Sequence, residues 1–164
     1  MKKICTPLCL IGLYTFIYNK HYLNFDGSTD RMLMLGSDLE VMSYVTFEIF
    51  ELSPTFVNAY LSTPLNQVTC FFWTLQTDDQ VLLNVINKNN LSNGITFCKR
   101  LETEIKVWSF CAEDDRLISF FNENSLSMLT QFINYFEDVI LTLELEEEEY
   151  CLHFPSKISL SVDL

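Results

Sequence analysis

Six cysteines and two histidines are the residues of this sequence best suited to metal ligation or nucleophilic chemistry. Cys5, Cys9, Cys70, Cys98, Cys111 and Cys151 include no CxxC pair. His21 and His153 lie far apart, and neither has a Cys, His or carboxylate at ligand spacing on a defined element. The pattern therefore predicts no metal site. Several cysteines sit in apolar or aromatic runs, which predicts buried free thiols in a reducing compartment. The even count keeps a secreted, disulfide-bonded form as the alternative. Asp78-Asp79 and Asp114-Asp115 are adjacent carboxylate pairs without a positioned third group for acid–base work. Their expected place is in turns, where Asp satisfies local backbone amides. No GxSxG, HExxH, P-loop or GxGxxG pattern occurs. The chain is read as non-enzymatic and without a cofactor.

The elements that would position a site are read from periodicity. Leu65, Val68, Phe71, Phe72 and Leu75 recur at spacings of three and four, which predicts a helix over 63–75. Residues 80–87 read as a strand, Asn93-Gly94 as a tight turn, and 95–99 and 104–110 as two further strands. A second copy of this pattern begins at Ser125. Leu126, Leu129, Phe132, Ile133 and Phe136 form the same helical stripe, followed by strand-like 139–145, 150–154 and 158–162. A blurrier copy opens the chain at Thr6-Pro7-Leu8, with 22–25, 32–35 and 41–50 as strands. The predicted architecture is α+β and strand-dominated, built of repeated strand-helix-three-strand units. Residues 1–110 would form one domain of two units (1–52 and 53–110), 111–115 a short connector, and 116–164 a third unit that opens a second domain.

At 164 residues, 49% hydrophobic and 14% aromatic, the chain can bury a full core and is not disordered. Its net charge of −12 argues against an overall grip on nucleic acid or anionic lipid. Met1-Lys2-Lys3 ahead of the uncharged run 4–18 has the layout of a secretory signal without a clean cleavage site. The alternative is a first helix apolar on two sides, with Leu8, Ile11 and Tyr14 on one and Leu10, Leu13, Phe16 and Ile17 on the other. Charge is missing where solvated helices usually carry it. The outer face of the second predicted helix shows Asn66, Gln67, Cys70, Trp73 and Thr74. That of the third shows Ser127, Met128, Gln131, Asn134 and Tyr135.

Repeated units with helices on one side, and the segment 22–51 with its long strand, resemble the sliding clamps of the PCNA type, including checkpoint clamp subunits. The resemblance implies a DNA-clamp-like fold and a nuclear, non-enzymatic scaffold in DNA replication, repair or checkpoint signalling. Its partners would be other clamp subunits, in homo- or hetero-oligomers, together with replication or repair proteins. Duplex DNA would lie inside the ring. Lys20, Asn66, Gln67, Trp73, Thr74, Ser127, Gln131 and Asn134 are then expected toward nucleic acid. Ile158, Leu160 and Val162 are expected in a subunit-edge strand, since open edges pair with other chains. Clamps usually carry Lys and Arg on these helix faces, and this chain does not. The rival expectation is a secreted or membrane-targeted β-rich binding protein with 1–18 as its signal.

Overall fold

The computed structural model describes residues 5, 8, 13, 15–25, 29–37, 53–112 and 123–144. The elements run β1 (Thr15–Leu23), β2 (Thr29–Gly36), α1 (Pro54–Ser62), β3 (Val68–Thr74), α2 (Gln80–Lys88), β4 (Asn93–Arg100), β5 (Glu104–Ala112) and α3 (Glu123–Glu144). The five strands form one antiparallel sheet in the order β2-β1-β5-β4-β3. The α+β class is as expected. β1 pairs directly with β5 from Thr15↔Cys111 to Tyr22↔Glu104, so the first 52 residues and those that follow share one sheet.

Alternation along the central strands sends each strand's residues to two separate cores. Phe16 and Tyr18 on β1, Ile95 and Phe97 on β4, and Trp108 and Phe110 on β5 face α3, which packs Leu129, Ile133, Phe136 and Ile140 against them. Ring centroids of Phe16 lie 5.1 Å from Phe110 and 5.0 Å from Phe136, the second in an edge-to-face contact. On the opposite face Ile17, Cys98, Val107 and Cys111 meet Phe56 and Tyr60 of α1 and Leu82, Val85 and Ile86 of α2. The molecule is thus layered helix, sheet, helix. Each fully buried side chain in these layers stabilises the fold by about 1.5–3 kcal/mol relative to exposure.

Several expected elements change type. The helix predicted over 63–75 is strand β3. Its three-four spacing coincides with a β-branched and aromatic run (VTCFFWT), and the pleat wins because Phe71 and Trp73 go inward while Val68, Cys70 and Phe72 take the other face. The strand predicted over 80–87 is helix α2. Asp79 caps it by accepting from Leu82 N at 3.0 Å, and Leu82, Val85 and Ile86 form its buried stripe. Ser53-Pro54 begins α1, with Ser at the N-cap and Pro in the first turn. α3 runs on to Glu144, so the strand expected at 139–145 is helical over 139–144, with Ile140 buried. Asn93-Gly94 starts β4 instead of turning. Gly94 is required because Trp73 packs over it, and a Cβ there would meet the indole ring and come within 2.7 Å of Phe110 O.

The helix expected to open the chain gives way to strand at Thr15, so Phe16, Ile17 and Tyr18 are core residues of β1. A chain beginning near residue 19 would lack half of this strand. The strand expected at 22–25 is met only at Tyr22 and Leu23, and that at 32–35 lies within β2. Strands at 95–99 and 104–110 are as expected. The predicted strands 41–50, 150–154 and 158–162, with Ile158, Leu160 and Val162, lie outside the described residues, as does most of the connector 111–115. Among the described residues the element order does not repeat a strand-helix-three-strand unit.

Candidate functional site

Among the described residues β2 and β3 end the sheet, and the two strands are built differently. At the β2 edge Asp30 and Arg31 are exposed, the Arg31 guanidinium stacks 4.2 Å from the Tyr22 ring centre, and the β1–β2 register slips at Tyr22/Leu23. Charges and bulges are the devices that keep an edge strand from pairing with another chain. At the other edge β3 has neither. Its register with β4 runs unbroken from Val68↔Lys99 to Thr74↔Asn93. No residue from Leu52 to Thr77 is charged, in a chain of net charge −12.

β3 is positioned by three contacts. Thr63, which caps α1, places its Oγ1 2.6 Å from Thr69 Oγ1. Asn66 takes a left-handed turn (φ 63°) and donates its N–H to Arg100 O at 2.7 Å, which turns the chain onto β4. Trp73 is buried over Gly94, and its Nε1 donates to Thr96 Oγ1 at 3.2 Å. These contacts anchor the face bearing Thr69, Phe71 and Trp73; Phe71 meets Phe56 edge-on at 5.1 Å. The other face carries Val68, Cys70 and Phe72 in line with Phe97 and Ile95 of β4. There Val68 is 55% and Phe72 50% exposed. Leu65 and Leu75, which flank β3 in sequence, and Leu61 of α1 are also exposed. Of the large apolar side chains exposed among the described residues, only Phe25, Met128 and Tyr135 lie elsewhere.

The residues expected toward nucleic acid separate into three places. Ser127, Gln131 and Asn134 share the exposed outer face of α3, together with Met128 and Tyr135. Asn66 and Gln67 are exposed in the turn before β3, Thr74 is half-buried at its end, and Trp73 is core. These four do not form a helix face. Lys20 is buried on β1, its Nζ 3.3 Å from Glu104 and 4.8 Å from the Tyr22 ring centre. Its neighbour Lys106 reaches Glu137 of α3 at 2.6 Å, so both lysines are neutralised where α3 crosses the sheet.

Under α1 lies a polar group with no evident structural role. Asn19, on the central strand β1, is completely buried, and neither atom of its amide has a hydrogen-bond partner. Two residues on, burial pushes the His21 imidazole down to about 4. Its ring centre lies 6.3 Å from that of Tyr60, whose hydroxyl is pushed up, first by burial and then by Cys98. Burial also raises the Cys98 thiol to about 11 and the Cys111 thiol to about 12, so both stay protonated and unreactive. Cys70 is exposed, and partial desolvation raises its thiol as well. No described group of three or more His, Cys, Asp or Glu residues is arranged to hold a metal ion.

The β3 edge of the described sheet is not singled out by sequence reading. The signal available for it is the charge-free stretch from Leu52 to Thr77, of which Asn66, Gln67, Cys70, Trp73 and Thr74 read as the outer face of a helix. Comparison with known proteins adds information on fold only. No protein-family model matches the chain, and no curated protein matches its sequence. Among solved structures, the N-acylhomoserine lactone-dependent LuxR-family transcriptional factor CepR2 from Burkholderia cenocepacia superimposes with a TM-score of 0.57 and 11% identity, over 88% of this chain and 84% of that one. At that identity the likeness is one of fold.

Proposed function

We propose that this chain is a non-enzymatic assembly subunit whose working surface is the β3 edge of its sheet, where it takes a strand from another chain. One observation carries the reading: β3 ends the described sheet with an uncharged, unbulged edge and an exposed row of Val68, Cys70 and Phe72. Strand addition suits such an edge, since backbone hydrogen bonds supply affinity and alternate side chains supply selectivity. The partner's strand is itself uncharged and apolar on the face it sets beside Val68 and Phe72, because a charge placed there would be desolvated without a counter-charge. A clamp-like ring in DNA replication, repair or checkpoint signalling would assemble through edges in the same way. Its inner helix over 63–75 is strand β3, however, so the proposal rests on the edge and makes no use of DNA contact.

The test compares Val68→Lys, Phe72→Lys and Met128→Lys with the parent chain, scoring one defined partner identified by mass spectrometry. All three sites are exposed, so each variant keeps the parental circular dichroism. The two β3 variants lose that partner by tenfold or more, and Met128→Lys keeps it. Retention by all three variants overturns the reading.

A further inference from the structure

From the polar groups that α1 covers, we infer that this helix is a hinged lid, which lifts from the sheet ahead of the rest of the fold and opens more readily in acid. Alternation along β1 sets Ile17, Asn19 and His21 on the α1 face. Asn19 is completely buried there with neither amide atom bonded, and the His21 ring centre lies 6.3 Å from that of Tyr60. A lifted α1 lets water bond the amide and solvate the imidazole, so both groups favour the open state. Against this α1 buries only Phe56 and Tyr60, whereas α2 buries Leu82, Val85 and Ile86 and α3 buries Leu129, Ile133, Phe136 and Ile140. Nine residues are too few to hold a helix in water unaided, so α1 depends on those two contacts and on its ends.

The ends differ. At the first, Ser53 Oγ and Thr55 N both donate to Asp79 Oδ2, so a single side chain fastens the helix. At the second, Thr63 is extended ahead of Pro64 and its Oγ1 meets Thr69 Oγ1 at 2.6 Å, while Asn66 N–H bonds Arg100 O. That end is tied to β3 and β4. Asp79 is therefore the latch, and Thr63-Pro64 the hinge.

Acid acts beneath the lid. Tyr60 of α1 meets the His21 ring, with Met32 of β2 and Ile105 of β5 beside it in register. Tyr60 and Cys98 of β4 stay neutral, and α1 carries no charge. Arg100 stands in line with Ile105 on this face, and Asp30 is exposed two residues from Met32. Lys20, Glu104 and Lys106 stand on the other face, toward α3. Burial holds the closed-state ring at about 4, against ~6.5 in water, so the open form takes the proton first and gains as pH falls from 6.5 toward 4. Asp79, held below its ordinary value, keeps its charge over that range. The latch stays intact while the lid loosens.

The experiment is amide hydrogen exchange of the purified full chain at pH 7.5 and 5, corrected for the chemical exchange rate, with up to ~1 M urea added. Openings that expose little surface are insensitive to such urea, and global unfolding is not. In the parent, α1 amides are expected to be at least tenfold less protected than those of β4, nearly independent of urea, and roughly tenfold less protected again at pH 5. Ser53→Ala, which cuts the latch and leaves the Asp79 bond to Leu82 N, lowers α1 protection about tenfold; Asn19→Val raises it. His21→Gln removes the acid step. Protection of α1 equal to that of β4, with the same urea dependence, overturns the lid. A pH 5 loss that is absent from the parent, or kept in His21→Gln, overturns it too, because the helix then frays without uncovering His21.

Discussion

Ser53 Oγ donates a hydrogen bond to Asp79 Oδ2, tying the N-terminus of α1 to that of α2. The same carboxylate accepts from Thr55 N and Leu82 N, both at 3.0 Å, so one negative charge serves the positive ends of two helices. These helices form the layer that backs β1, β4 and β5 and holds Phe71 beneath β3.

Burial works against the Asp79 charge, but the bonds from Ser53, Leu82 and Thr55 outweigh it and hold the carboxyl below its ordinary value. A depressed carboxyl contributes stability that is full above the ordinary Asp value near ~3.9 and is lost as pH falls through the folded-state value. Asp79→Ala lowers unfolding free energy by about 2–3 kcal/mol at neutral pH, since two capped ends lose their acceptor. Asp79→Asn keeps an acceptor and loses less, but its stability no longer falls in that acid window. Urea titrations at pH 7 and pH 3 check both.

His21 gives a second, separate limb. Its unfolded value is near 6.5 and its folded value about 4, so the unfolded chain takes up the proton first. The His21 contribution to stability is therefore flat above pH 6.5 and is lost as pH falls from 6.5 toward 4, at most on the order of 3 kcal/mol in all. In His21→Gln this slope disappears while the Asp79 limb remains. A parent chain whose midpoint does not move between pH 7 and 5 contradicts the desolvation of the His21 ring.

Asn19 should be a site where replacement helps. A buried amide with neither atom bonded costs about 1–3 kcal/mol against an apolar group of similar shape. Asn19→Val, which also suits a central strand, raises unfolding free energy by about 1–2 kcal/mol in urea. A loss of stability would mean that the amide is satisfied in solution.

Gly94→Ala tests the link between the core and the edge. The added methyl meets the Trp73 ring and Phe110 O, so Trp73 must leave its place over β4. The cost is about 1–3 kcal/mol of stability. Loss of the Trp73 Nε1–Thr96 bond should accompany it, seen as a red-shifted tryptophan emission and faster amide exchange in β3.

What the sequence made legible follows from how many physical signals agreed at each place. The α3 stripe from Leu126 to Phe136 carries one period over several turns, and the helix is there, with Ser127, Gln131 and Asn134 outside as expected. Residues 63–75 carry two periods at once. Leu65, Val68, Phe71, Phe72 and Leu75 fit a helix by spacing, while the run of β-branched and aromatic residues fits a strand. Tertiary pairing with β4 decides for the strand. For 80–87 the deciding signal was at the boundary: Asp79 as N-cap, ahead of Leu82, Val85 and Ile86 at helical spacing. The site was hidden by the same error, because an uncharged helix face and an uncharged strand edge look alike until the element type is known. The pairing of β1 with β5 was not legible, since it joins residues far apart in sequence with no local signal.

The central claim is that β3, and not the rest of the surface, meets another chain. Its most direct measurement places a photo-crosslinking residue singly at 68, 70 and 72 on β3, at 30 on β2, and at 128 and 135 on α3, in the full-length chain inside cells. The account predicts crosslinks to a protein chain from the three β3 positions and none from the other three. It also predicts that adding Phe72→Lys to the probes at 68 and 70 abolishes them. Crosslinks confined to position 30 or to 128 and 135, or a silent β3, would contradict it.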